Sequence, residues 1–157
     1  MKLRTVLPML AVATFALAAC ASKVDYAKFH EKAVEAGKKE AGYKKFTIKG
    51  YEKGSYGVVS IDVKFNHTFE KDGNSWKLVK GEDDLTIKAA ILEAVALHAE
   101  DIPEADKYEY YAGSTFKVVY KDGDDEATDT YDKFGYPTSS KGKVSGFEAD
   151  IKISWSK

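Results

Sequence analysis

From residue 57 to 69 apolar and polar side chains alternate, and the alternation predicts the clearest strand of the chain. Val59, Ile61, Val63, Phe65, His67 and Phe69 share one face. Ser60, Asp62, Lys64, Asn66 and Thr68 share the other. Period two over this length describes an antiparallel strand with one buried face. The same pattern returns over 143–155, with Phe147, Ala149, Ile151, Ile153 and Trp155 on one side. Shorter pieces surround Phe46 and Ile48, then Trp76 and Leu78. Residues 108–120 read as one strand interrupted near Ala112-Gly113, and 127–134 as its return. Asp72-Gly73 and Asp122-Gly123 mark hairpin turns. The polar stretch 136–142 reads as a loop.

Two segments change period. Tyr26, Phe29, Ala33, Val34 and Ala41 recur at helical spacing and predict a helix over 26–41, capped by Asp25 and stopped by Gly42. Gly37 lies on its apolar face, either as a tolerated glycine or where another element comes close. Glu82-Asp83-Asp84 opens a second helix over 85–99, with acids at the positive end of its dipole. Its apolar residues cover most of its circumference, which predicts a buried position.

Together these elements predict an α+β domain: an antiparallel sheet of about six strands, two helices packed on one face, in the order α-β-β-β-α-β-β-β. Residues 1–19 read as a signal segment, 20–25 as a modified N-terminus with a short tether, and 26–157 as a single domain.

The N-terminal segment carries the most specific motif. Lys2 and Arg4 precede an uncharged run from Val6 to Ala19. That run is shorter than the about 20 residues that span a bilayer, and it fits a secretory signal. It ends in Leu17-Ala18-Ala19-Cys20, which resembles the lipobox of bacterial lipoproteins. The resemblance implies cleavage before Cys20, acylation of its thiol, and attachment to the cell membrane or the outer membrane through acyl chains. Ala21 follows the cysteine where an Asp, in Gram-negative members, directs retention at the inner membrane. Cys20 is the one cysteine of the 157 residues, so no internal disulfide forms.

Composition then narrows the chemistry. Removing residues 1–19 leaves 138 residues and, with Lys2 and Arg4 gone, takes the formal charge from −1 to −3. Arg4 is the one arginine of the chain. Without arginine the bidentate grip on phosphate is missing, which argues against nucleic acid as a partner. His30, His67 and His98 show no metal-binding spacing, no nucleophile elbow or phosphate loop is present, and no cofactor or catalytic residue is predicted. The acidic run 122–126 departs from the calcium-loop pattern and reads as a solvated turn.

Tyrosine is the unusual residue, with ten copies. Tyr108, Tyr110, Tyr111, Tyr120 and Tyr131 form the candidate binding face, because aromatic side chains anchor protein partners and stack sugars. The expected function is therefore a non-enzymatic, membrane-anchored lipoprotein that binds a protein, glycan or lipid. The alternative is a carrier of a small hydrophobic ligand. The layout resembles the LolA/LppX-type lipid carriers, in which a curved antiparallel sheet covers helices. That resemblance implies a pocket between the sheet and the second helix.

Overall fold

The computed structural model describes residues 21–157. The signal segment and Cys20 lie outside the described residues. The strands are β1 (Ala21–Val24), β2 (Lys45–Tyr56), β3 (Val59–Asp72), β4 (Ser75–Lys80), β5 (Tyr108–Gly113), β6 (Phe116–Asp122), β7 (Asp125–Tyr131), β8 (Pro137–Val144) and β9 (Phe147–Ser156). The helices are α1 (Tyr26–Gly37) and α2 (Leu85–Val95), and a 3-10 turn covers Ala99–Asp101. All nine strands form one sheet in the order β1-β5-β6-β7-β8-β9-β2-β3-β4, and every neighbouring pair is antiparallel.

This corrects the expectation of about six strands in the order α-β-β-β-α-β-β-β. Three strands account for the difference. The supposed tether, Ala21–Val24, pairs with Tyr110–Gly113 as an edge strand. The apolar run 108–120 is two strands, because Gly113-Ser114 folds it back so that Ala112 faces Phe116. The polar stretch after Tyr136 is β8, held by backbone bonds to β7 and β9 although its inward positions include only Ser140 and Gly142 at its centre. The last turn is Ser145-Gly146, both left-handed with φ of 51° and 84°. That pair of dihedrals suits the tight β8–β9 hairpin.

Both helices lie on one face of the sheet and build two packed clusters. Phe29, Ala33 and Ala36 of α1 meet Tyr110, Ala112, Phe116, Val118 and Tyr131 of β5, β6 and β7. Ile91 and Val95 of α2 meet Phe46, Ile48, Phe65, Phe69, Ile151 and Ile153 of β2, β3 and β9. Alanines on α1 let it approach the sheet closely, and Phe29 fills the space between Tyr110 and Phe116 at ring distances of 5.2 and 5.8 Å.

The second helix is shorter than its apolar run and not buried all round. It ends at Val95, and Leu85 and Leu97 are 80% and 53% exposed. Likewise α1 ends at Gly37, five residues before Gly42. A side chain on Gly37 would meet the Glu100 carboxylate at 2.8 Å, so the 3-10 turn is the element that comes close there. In β2, Gly50 has φ of 133°, and a Cβ there would stand 1.9 Å from the carbonyl oxygen of Asp150. Only glycine permits this bend, which curves the long β2 against β9.

Candidate functional site

A hollow of about 460 Å³ opens between β1, the start of α1, β5 and the segment before it. Its position follows from the local chain. Val24 ends the edge strand, and Asp25 turns the backbone by accepting the Lys28 N–H at 2.8 Å as the cap of α1. Tyr26 therefore stands on the first turn of α1, with its ring 5.2 Å from that of Tyr110.

Two hydroxyls then hold the facing wall. Tyr110 accepts the Ala105 N–H and donates to the Pro103 carbonyl, both at 2.9 Å. Tyr26 donates to the Ile102 carbonyl at 3.1 Å. These bonds bring Glu104 and Asp106 to the rim of the hollow beside Asp25. On β5, Glu109 pairs with Lys23 at 2.9 Å and accepts from Tyr111 at 3.0 Å. The Lys23 bond first, and then the Tyr111 bond, hold the Glu109 carboxyl below its ordinary range. The result is a cleft with tyrosine rings and four carboxylates against one ammonium. It suits a hydroxyl-rich or amine-bearing ligand, with rings to stack on and acceptors at the rim.

The five tyrosines singled out in the sequence do not share one exposed surface. Tyr108 lines the cleft half-buried, and Tyr110 lies at its floor, 5% exposed and part of the core under α1. Tyr131 is 4% exposed and belongs to the core under α1. Tyr120 points the same way, 6.0 Å from Tyr108, and packs against the cluster under α2. Tyr111 lies on the opposite face, where the Lys117 ammonium sits 4.0 Å over its ring. Cys20 lies outside the described residues, one position before the first residue of β1.

Compared with protein-family models, curated proteins and solved structures, the chain matched none. Its geometry therefore carries the functional reading.

A second set of groups lies beneath α2. Glu52 of β2 is 6% exposed, its Oε1 has no partner, and burial pushes its carboxyl up to about 7. Asp129 of β7 has an Oδ1 sequestered without a partner. Burial pushes it up to about 7 against the opposing pull of the Ser140 hydroxyl. Asp129 stands where the two packed clusters meet, between Ala127 of one and Tyr131 of the other. Both acids occupy inward positions of their strands, as the alternation Phe46, Ile48, Gly50, Glu52 already indicates. His67 is buried as well, with Nδ1 accepting the Asn66 N–H and Nε2 unpartnered. Among the described residues no three His, Cys, Asp or Glu side chains gather as a metal site.

A second hollow of about 370 Å³ lies at the far end of the β2–β3 hairpin, near Lys53, Asp62 and Glu148. The hairpin tip beyond it carries Tyr56 and Val58, 71% and 103% exposed.

Proposed function

We propose that this chain is a membrane-anchored bacterial lipoprotein of the cell envelope, attached through acyl chains on Cys20. It works as a non-enzymatic binding module for a protein or glycan. The observation that carries the reading is the cleft of Tyr26 and Tyr108 over the buried Tyr110, in which the hydroxyls of Tyr26 and Tyr110 are tied to the backbone of Ile102, Pro103 and Ala105. Fixed aromatic walls lower the entropy lost on binding, which is what a recognition surface needs. The lipobox supplies the anchor.

Carriage of an apolar ligand between sheet and second helix is the weaker reading. Ile91 and Val95 occupy that space, packed against Phe46, Phe65 and Ile151, and neither of the two hollows described lies there.

In-cell photo-crosslinking of the full chain separates the two. A benzophenone amino acid in place of Tyr108 is expected to yield a protein or glycan adduct, and the same probe at Ile87 on α2 is expected to yield none. Adducts of lipid mass from Ile87, with nothing from Tyr108, would overturn the proposal in favour of the carrier.

A further inference from the structure

The antiparallel order fixes which parts of the molecule lie beside the anchor. The first residue of β1, Ala21, stands opposite Gly113 at the β5–β6 turn. The β7–β8 loop, the end of β9 with the start of β2, and the β3–β4 turn lie at that same end of the sheet. The segment after α1 also reaches it, because the Lys44 N–H donates to the Ser156 carbonyl and the Lys71 N–H to the Lys44 carbonyl. This end is the anchored rim.

Its charge differs from that of the opposite end. The anchored rim, segments 38–45, 70–76, 98–101, 113–116, 132–137 and 155–157, holds seven lysines against six acids; the 98–101 turn belongs to it because the Ala99 N–H donates to the Gly135 carbonyl. The distal rim, segments 53–62, 104–108, 121–126 and 143–148, holds four lysines against eight acids. The acid excess of the chain is thus gathered at the distal rim, and the end where the acyl chains leave keeps one lysine more than its acids. Aromatic side chains gather there too. Tyr43 stacks on Trp155 at 5.4 Å, Trp76 and Tyr136 meet Trp155 at 5.9 and 4.9 Å, and all four are half-buried. Both tryptophans of the chain belong to this rim.

We infer that the anchored rim rests on the anionic phospholipid headgroups of the leaflet that holds the acyl chains. The inference rests on the lipoprotein reading and adds an orientation to it. Each lysine near an anionic surface contributes about 1 kcal/mol, and half-buried tryptophan and tyrosine prefer the headgroup level. No flexible stalk intervenes, because Ala21 is already hydrogen-bonded into the sheet. The acidic rim, with residues 104–108 of the cleft wall, then faces away from the membrane.

The test supplies the anchor chemically, so that it does not depend on acylation in the cell. The described strands and helices lie within 21–157, and Cys20 is the one thiol. The chain 20–157 is coupled through Cys20 to a maleimide lipid in vesicles of phosphatidylcholine, with or without phosphatidylglycerol. A lipid carrying a headgroup nitroxide quenches tryptophan fluorescence at close range. Quenching is expected only when phosphatidylglycerol is present, with reversal at high salt. The triple variant K38Q/K39Q/K133Q is expected to lose it, and K107Q/K121Q/K143Q at the distal rim to keep it. Quenching equal in both vesicles, unchanged in the first variant, or absent throughout would overturn the inference. The mass of Cys20 in the chain isolated from cells reports separately on the lipoprotein reading.

Discussion

The cluster beneath α1 and the cluster beneath α2 share one face of one sheet, yet they treat their polar groups differently. Beneath α1 the hydroxyls of Tyr26 and Tyr110 reach backbone partners at 2.9 to 3.1 Å, and Phe29 closes the centre. Beneath α2 the inward positions hold Glu52 and His67, each with an unpartnered atom, and Asp129 stands at the seam. Satisfied buried polar groups fix a unique arrangement, whereas unsatisfied ones cost the full desolvation of the group. The first cluster is thus a rigid frame for the cleft. The second is where stability responds to conditions.

The largest consequence is a pH dependence. Glu52 and Asp129 have folded-state values near 7, above their ordinary ones of 4.5 and 3.8. Between those limits the folded chain binds more protons than the unfolded one, so stability is full on the acid side and falls as pH rises through 7. Shifts of this size correspond to roughly 3 kcal/mol for Glu52 and roughly 4 kcal/mol for Asp129. Urea midpoints are expected to drop from pH 5 to pH 8 in the native chain. In the double variant Glu52→Gln with Asp129→Asn they are expected to stay nearly level. A steep drop that persists in the double variant would remove these two groups as its source.

Breaking the rigid frame ranks next. Phe29→Ala empties the contact with Tyr110 and Phe116 and is expected to cost about 4 kcal/mol in chemical denaturation. Tyr110→Phe leaves the Ala105 N–H and the Pro103 carbonyl without their partner, at about 2 kcal/mol. Amide exchange over 103–107 is expected to accelerate in that variant, since the wall of the cleft loses its tie. The smallest effect is Leu85→Ala on the exposed start of α2, expected within about 0.5 kcal/mol. A large loss there would mean that α2 is covered in solution.

Much of this organisation was legible in the sequence where burial is one-sided. The strand around Phe65, the strand ending at Trp155 and the turns at Gly73 and Gly123 follow from period two and turn chemistry. The elements that escaped lack such a signal. β8 carries Ser140 and Gly142 inward and Ser139, Lys141 and Lys143 outward, so no apolar alternation marks it. β1 is four residues held by edge hydrogen bonds to β5 rather than by burial. β5 and β6 are both apolar enough to read as one. The cleft was half legible: Tyr108 and Tyr110 stood out, but Lys23, Asp25, Glu104 and Asp106 reach it only through tertiary folding. Glu52 and Asp129 were readable as acids at inward positions, because alternation places them beside Ile48 and Tyr131.

The proposed acyl anchor on Cys20 is the central claim. Intact mass spectrometry of the chain extracted from its own cell envelope tests it most directly. The account predicts loss of residues 1–19 and a mass that places diacylglycerol, with or without a further acyl chain, on Cys20. A chain with a free Cys20 thiol, or one cut elsewhere, would contradict it.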